Sequence, residues 1–582
     1  MEKQSSYHIR ISESGKGNLP RFSISSLGTK LLLLLGAAAV LFLFVMPVFK
    51  LASLSVRSEA GFTLSHYNEL FQSPRFWSSL WNTAIVVAGS TVLSLLLGFA
   101  AAWLMAYTDL KHKRMLHMAL LLCFILPSYV LTLSWSSFMG PQGLLAGMLH
   151  LVVPGASPWS MYNYGGIIFV MGIHHFPLVY LFTLNVLKKI PRDLEWAARA
   201  GGAGKFNTFR KVTVPLALPG LTAGGLLVFL ASLDNFGIPA FLGTPANITV
   251  LSTLIYEEII GFGPSAFARG AALSVLLGLA AVTGTLVQWL LLRKSSISDT
   301  VLLDHGPRYW LGAGRKWVSA GMWAFLLIVT AVPLLAMVSL SFKKAYGLGL
   351  QFSNLTLDNY KFILLGNGKV WKAIQNSFML ALVTLVVCLI AGSIFAYIRV
   401  RKPSLLMKAA EIAISIPYTL PGIVFALSMI LVWMEPVTGW NPGIYGTVYI
   451  LFIAYICRFL ILQIRAGITA FMQIDPSMEE AARAAGAGTW RKWRAVLLPL
   501  LLPGLLSGAV LVFLMSLTEL TVSALLYSSG TQTIGVTVFS YEQAGSTLYS
   551  TALSSLIVFM ILAGGGLLVW LQGRVQRRGD RA

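Results

Sequence analysis

Two stretches of this chain combine residue types at spacings that could do chemistry, and the chemistry is docking. Glu195-Trp-Ala-Ala-Arg-Ala-Gly-Gly-Ala-Gly leads into Val-Thr-Val-Pro215, and Glu479-Glu-Ala-Ala-Arg-Ala-Ala-Gly-Ala-Gly leads into Val-Leu-Leu-Pro499, at a constant offset of 284 residues. Ala-Ala-Arg-Ala is a strong helix former, Gly202 and Gly486 permit a C-terminal stop, and each proline can open the next helix. The spacing predicts a short helix, a turn and a second short helix. Small side chains at Ala197, Ala198, Ala481 and Ala482 would let the first helix lie deep in a partner's groove. Glu195, Glu479, Glu480 and the arginines at its rim would orient it by ion pairing. A plain amphipathic interfacial helix does not account for two copies at matched places.

A second set of residues lies inside apolar runs, where an ionisable side chain costs at least about 2.5–3.5 kcal/mol and normally faces a cavity. Asp234 and Asn235 align with Thr518 and Glu519, and His174 aligns with Arg458, at the same offset. Matched polar positions in both halves mark a candidate pathway. The plainer alternatives are an outer-interface position for Asp234 and Glu519 and a helix-packing hydrogen bond for His174 and Arg458; His175 reads as structural. Prolines in 126–129 (Leu-Pro-Ser-Tyr) and 416–421 (Ile-Pro-Tyr-Thr-Leu-Pro) predict kinks that free carbonyls toward the centre of a bundle.

Other chemistries lack their residues. The Walker-like string from Gly201 to Phe206 has Arg199 where the leading glycine belongs and Phe206 where Ser or Thr must hold magnesium, so it cannot bind ATP as a phosphate loop. No His/Cys/carboxylate cluster has metal-enzyme spacing, and no Gly-x-Ser-x-Gly elbow occurs. Cys123, Cys388 and Cys457 read as small core hydrophobes. An ion-coupled secondary transporter is the alternative class, although the chain has few intramembrane ionisable residues to carry a coupling ion.

The elements that must position these residues follow from composition. Of the 582 residues 56% are hydrophobic and 11% charged, with a mean hydropathy of +0.76, so most of the chain belongs in lipid. Twelve runs are long enough to cross a membrane: 35–48, 84–107, 115–138, 166–187, 217–233 and 268–292, then 318–340, 378–398, 409–433, 443–462, 500–517 and 548–571. The reading is an all-α, polytopic protein. The excess of 43 Lys and Arg over 21 Asp and Glu reads as positive-inside topology rather than nucleic-acid binding. With both termini cytoplasmic, the loops 140–164, 237–267, 435–443 and 519–547 fall outside and contain no Lys or Arg, whereas 341–375 carries five lysines against the rule.

Thr-Leu-Ser-His-Tyr at 63–67 returns as Thr-Leu-Asp-Asn-Tyr at 356–360, ahead of Asn82-Thr83 and Asn376-Ser377. Six runs in the same order and orientation make two parallel repeats. The expected layout is a cytoplasmic segment 1–30, a first module 31–294, a linker 295–316, a second module 317–573 and a tail 574–582.

The paired motif resembles the hallmark of integral membrane subunits of type I binding-protein-dependent importers: Glu-Ala-Ala, three residues, Gly, nine residues, Ile-x-Leu-Pro. Glu480, Ala481, Ala482, Gly486, Val496, Leu498 and Pro499 match it. The first copy departs with Trp196 where Glu is expected and Val214 where Leu is. The resemblance implies that 195–211 and 479–495 are coupling helices for two copies of a cytoplasmic ATP-binding subunit. It further implies an extracytoplasmic substrate-binding protein, ATP used by the partner with no cofactor on this chain, and a bacterial inner-membrane location. The fused form, with Pro127-Ser-Tyr-Val-Leu, Gly140-Pro-Gln-Gly and Asp234-Asn-Phe-Gly-Ile-Pro239, is similar to ferric-iron importer permeases and their relatives for thiamine, polyamines and 2-aminoethylphosphonate. Iron is placed first among these. The sequence assigns no metal-ligating residue.

Overall fold

The computed structural model describes residues 26–58, 61–141, 143–153, 158–261, 263, 265–292, 306–349, 351–436 and 439–579. Most of the N-terminal segment, the first part of the linker, Gln142 and the last three residues lie outside the described residues. The first half contains α1 (Leu34–Ser55), α2 (Pro74–Tyr107), α3 (Lys113–Ile125), α4 (Ser128–Met139), α5 (Tyr164–Lys189), α6 (Arg192–Ala200), α7 (Lys205–Asp234), α8 (Leu251–Ile260) and α9 (Ala266–Leu292). The second half repeats the series as α10 (Gly312–Ser341), α11 (Gly368–Arg401), α12 (Leu405–Thr419), α13 (Gly422–Met434), α14 (Val448–Met472), α15 (Pro476–Ala484), α16 (Thr489–Leu517), α17 (Ile534–Gln543) and α18 (Thr547–Gly579). Strand pairing among the described residues is confined to Arg57–Ser58 with Gly61–Phe62 and two isolated bridges.

Among the described residues ten helices are long and apolar enough to cross a membrane, and twelve spans result when each of two bent pairs is taken as one. Those pairs are the runs expected as kinked helices at 115–138 and 409–433. Each is a full break: the chain turns by 96° after α3 and by 109° between α12 and α13. The residue before a proline is driven out of the helical region, and Leu126 and Leu420 accordingly sit at ψ 135° and 145°.

Within each module three helices form a tight pack, in α2–α5–α7 and in α11–α14–α16. Lipid offers no hydrophobic drive between helices, so close approach of small residues must supply the attraction. A Cβ at Gly98 would lie 2.6 Å from Val179 Cβ, and one at the matching Gly392 would lie 2.8 Å from Gln463 Cγ. Gly224 and Gly508 repeat the device, 2.7 Å from Val179 Cα and 2.5 Å from Ala466 Cβ. The repeated polar pairs are anchors for the segments beyond. Thr83 Oγ1 accepts from Leu251 N at the start of α8, and Ser377 Oγ accepts from Ile534 N at the start of α17, both at 2.8 Å. Loop residues expected outside therefore fold back on the bundle, with Ile238 and Val522 fully buried.

The modules clasp each other. α1 packs on α9 of its own half and on α13 of the other, and α10 packs on α18 and on α4. The Phe42 and Trp433 rings meet edge to face at 5.6 Å. Thr330 of α10 shares a 2.9 Å hydrogen bond with Cys123 of α3, and Ser134 of α4 reaches Met337 Sδ at 3.5 Å. The first helix of each repeat thus stands against the broken helix of its partner.

Adding bulk where a glycine lets two helices touch forces a backbone shift, with a destabilisation of about 1–3 kcal/mol. We expect Gly98→Val and Gly392→Val each to lower the thermal unfolding midpoint of the purified protein in lipid nanodiscs. Gly321→Ala, where nothing lies within 4 Å of the added atom, should leave the midpoint unchanged. Equal midpoints for all three would remove the close-approach argument.

Candidate functional site

The two motif loops fold alike. α6 and α15 are nine residues each and end in the same stop. Gly202 N donates to Arg199 O and Ala203 N to Ala198 O, and Gly486 N donates to Arg483 O and Ala487 N to Ala482 O, all at 3.0 Å. This pair of bonds needs a left-handed residue at the turn. Gly202 and Gly486 supply it at φ 85° and 77°. Pro215 and Pro499 lie inside α7 and α16, each just after a π-helical turn, Phe209–Thr213 or Trp493–Leu497.

Glu195 and Glu479 differ from the expected placement at the rim. They are 2% and 4% exposed and point into their own module. Glu479 Oε1 accepts from Arg401 Nε at 2.7 Å and Oε2 from Lys492 Nζ at 2.8 Å. Burial alone would raise the Glu479 carboxyl; Lys492 and Arg401 outweigh it and hold the group below the usual carboxylate range. Its anchoring is therefore complete above the ordinary carboxylate pKa and is lost as pH falls through the lower folded-state value. Glu195 Oε1 accepts from Thr213 Oγ1 at 2.7 Å and pairs with Arg308 Nη1 at 3.2 Å. The physical reason is helical phase: with the alanines outward, the first glutamate of each motif faces the bundle.

The free face carries the next residue along. Trp196 is 59% exposed, and Glu480, Ala197 and Ala481 are exposed, while Ala198 and Ala482 are half-buried. Phe206 and Trp490 are exposed aromatics at matched positions at the start of α7 and α16; the second short helix expected after each turn runs on into the long membrane helix. An aromatic side chain at one offset in two otherwise polar loops was the signal for them.

The second cluster lies where the helices break. Pro127 and Pro421 have no N–H, so the carbonyls of Cys123 and Pro417, four residues earlier, lose their helical donors. His174 Nδ1 donates to Cys123 O at 3.1 Å, and Arg458 Nη1 donates to Pro417 O and Leu420 O at 3.3 Å. A carbonyl only accepts, so Nδ1 of His174 carries the proton. His174 and Arg458 occupy the same place in α5 and α14 and do the same job. His175 is engaged inside its module by Ser232, 3.3 Å away.

Asp234 joins the modules. Its Oδ2 lies 2.8 Å from Arg458 Nη2, and its Oδ1 accepts from Gly422 N, the first residue of α13. The carboxylate thus meets both a guanidinium and the positive end of a half-helix. Asn235 and Glu519 are equivalent in a different sense: Asn235 Oδ1 accepts from Ile238 N at 3.0 Å and Glu519 Oε1 from Val522 N at 2.7 Å, each closing the turn after its helix. Glu519 also accepts from Ser523 Oγ at 2.9 Å. Thr518, the counterpart of Asp234, turns back on its own helix at Leu514 O. The ionic tie between modules therefore has no mirror image at Thr518.

Residues 94–293 and 388–581, together more than half of the chain, each match the family described as binding-protein-dependent transport system inner membrane component. The chain belongs to this family. Among its relatives are the probable ABC transporter permease protein y4fN of Sinorhizobium fredii, 26% identical over 81% of this chain and 83% of that protein. The Fe(3+)-transport system permease protein FbpB 2 of Haemophilus influenzae is 23% identical over 87% of this chain and 92% of its own length. The spermidine/putrescine transport system permease protein PotB of the same species matches at 28% over 34% of this chain and 69% of its own. The two repeats are thus two permease domains fused in one multi-pass, inner-membrane transport component.

In this permease the Asp234–Arg458 tie can be weighed by a double-mutant cycle. Asp234→Ala leaves Arg458 buried beside one fewer acceptor, while removing both groups leaves neither uncompensated. We expect the single variants to destabilise the nanodisc-embedded protein and the double variant to lose less than their sum, with a coupling of about 1–2 kcal/mol. Additive losses in thermal unfolding would mean that the two side chains act independently.

Proposed function

We propose that this chain is the membrane-spanning subunit of an ATP-driven, binding-protein-dependent importer. Two copies of a cytoplasmic ATP-binding subunit dock on α6 and α15, and an extracytoplasmic binding protein delivers substrate to the opposite end. The observation that carries this reading is the duplicated exposed helix. Each copy is fastened from behind by a buried carboxylate and offers a small-residue face flanked by Trp196 and Phe206, or by Glu480 and Trp490. A rigid short helix with one free face transmits a push from a groove that grips it. Docking on two such helices, one per module, converts closure of the ATP-binding pair into movement of one module against the other.

The pathway in this reading runs between the modules, past Asp234, Asn235, His174, Arg458, Thr518 and Glu519. The broken helices α3–α4 and α12–α13 meet the opposite module there. Relative motion must re-partner Asp234, which holds the N-terminus of α13 from the other half. The motif loops and both termini face the cytoplasm, as the clustering of basic residues around 188–211 and 465–494 supports. Ferric iron is the substrate this reading favours, as cargo handed over by the binding protein, in line with the name of the FbpB relative. 2-Aminoethylphosphonate, thiamine and polyamines are the alternatives within the group. ATP is bound and hydrolysed by the partner, not by this chain.

Reconstitution tests the reading. Purified alone in proteoliposomes, the chain should hydrolyse no ATP; with the ATP-binding subunit and binding protein present, hydrolysis and uptake of radiolabelled ferric iron should appear together. Hydrolysis by the isolated chain, or uptake on an ion gradient without the partners, would overturn it. The two docking helices should also differ. Glu480→Ala removes a charge-assisted contact and should weaken co-purification of the ATP-binding subunit in a salt-sensitive way. Trp196→Ala removes apolar packing and should weaken it independently of salt. A salt series with each variant distinguishes them, and no loss with Glu480→Ala would refute the assignment.

A further inference from the structure

Glu479 is fastened by Arg401, the last residue of α11. Arg401 also donates from Nη2 to Ile474 O at 3.1 Å, tying the end of α14 to the motif loop. α2 and α11 are both 34 residues long, and Arg401 falls opposite Tyr107, the last residue of α2. A tyrosine cannot pair with the carboxylate of Glu195, so the first module lacks this cation at the matching position. Lys492, the other cation on Glu479, falls opposite Thr208, which is likewise neutral.

The inter-module linker fills the gap. Arg308 N and Tyr309 N both donate to Tyr107 O, at 2.8 and 2.9 Å, laying the linker along the end of α2. The Arg308 guanidinium then stacks 4.2 Å over the Tyr107 ring and bonds to its hydroxyl at 3.1 Å. From there it reaches Glu195 Oε1 at 3.2 Å and the carbonyl of Ile190. Ile190 and Ile474 are equivalent residues, so Arg308 makes both bonds that Arg401 makes in the other half. The salt-bridged side chains of Arg308 and Glu195 are 4% and 3% exposed. Past this point Asp109 fixes the linker by accepting from Leu311 N at 2.9 Å and pairing with Arg315 at 3.3 Å. A cavity of about 180 Å³ lies beside the Arg308–Glu195 contact, lined by Arg192, Trp196 and Arg199 as well as Pro307, Arg308 and Trp310 of the linker.

We propose that the inter-module linker is a working part of the first docking element, with Arg308 as the positioning residue that replaces Arg401. A nine-residue helix is marginal alone, and the orientation of α6 depends on the buried Glu195. An uncompensated buried carboxylate would turn toward water, carrying Trp196 and Ala197 out of register with the partner. The linker continues into α10, the first helix of the second module. A push on α6 therefore reaches both modules through Arg308. This inference rests on the docking reading given above.

The test uses the full transporter in nanodiscs with its ATP-binding subunit, and a single reporter cysteine at Ala197→Cys or Ala481→Cys joined to the partner by a bifunctional thiol reagent. The native cysteines are buried and give little background. We expect Arg308→Ala to reduce cross-linking at position 197 by at least about fivefold and to leave position 481 within about twofold. Adding Tyr107→Arg, which rebuilds the second module's arrangement, should restore position 197. Arg308→Lys, a cation without the planar fork, should fall between. A general loss of structure would lower both positions together and would not be rescued by Tyr107→Arg. That result, or an unchanged signal at 197, overturns the proposal. Should Arg308→Ala fail to accumulate, Arg308→Lys and the Tyr107→Arg/Arg308→Ala chain decide: selective loss and selective recovery at 197 support it, and their absence refutes it. No cross-link from either reporter on a parental complex that still transports would instead defeat the docking reading itself.

Discussion

A proline inside a membrane helix leaves the carbonyl four residues earlier without its donor, at a depth where water cannot replace it. Much of this structure is arranged around two such carbonyls, on Cys123 and Pro417. Each is served by a side chain from the midpoint of a neighbouring helix, His174 of α5 or Arg458 of α14. The service fixes the relative height of α3 against α5 and of α12 against α14. It also turns α4 and α13 through roughly a right angle into the other module. Because each half-helix then has a bare N-terminus in the bundle, a negative group is favoured beside it. Asp234 meets that demand for α13 from across the module boundary.

The clasp follows from the same breaks. A helix that turns within the membrane leaves space on its flank, and α1 and α10 occupy that space on opposite modules. Burial at the junction is therefore shared: Phe42, Trp433, Thr330 and Met337 lie between halves rather than within them. Glycines at 98, 224, 392 and 508 set the three-helix packs of each module at contact distance.

Much of this was legible in the sequence. Hydropathy located the spans, the returning Asn-Thr and Asn-Ser pairs exposed the repeat, and the spacing Glu-x-Ala-Ala to glycine to proline located the two motif loops. The prolines announced the breaks, though not their angle, which depends on how far α4 and α13 can turn before meeting α10 and α1. Two features were out of reach for stated reasons. The inward face of Glu195 and Glu479 depends on the rotation of a short helix, and adjacent glutamates at 479 and 480 leave that phase ambiguous. The partner of Glu195 lies in a linker whose composition is that of a spacer, more than a hundred residues away, so neither periodicity nor local pairing points to it. Asp234 was marked by its type and matched place. Its role as a tie to Arg458 depends on packing between modules that share no local sequence.

Fusion in one chain lets the two halves hold matching positions with different residues. In a symmetric pair of identical chains, Tyr107 in place of arginine would strip both motif helices of their anchor at once. In a single chain the difference affects one half, and the described end of the linker lies beside Tyr107 just ahead of α10. Arg308 is thus available at high effective concentration, held by two backbone bonds to Tyr107 itself. The Tyr107 ring, standing where the second module has Arg401, is the surface on which the Arg308 guanidinium stacks. The same logic separates His174 from Arg458. Both answer a stranded carbonyl, but Arg458 has donors to spare and takes on Asp234 as well. One module thus holds its site with neutral hydrogen bonds and a borrowed cation, and the other with its own charges. A shared fold constrains where a bond must be made, and leaves open which residue makes it.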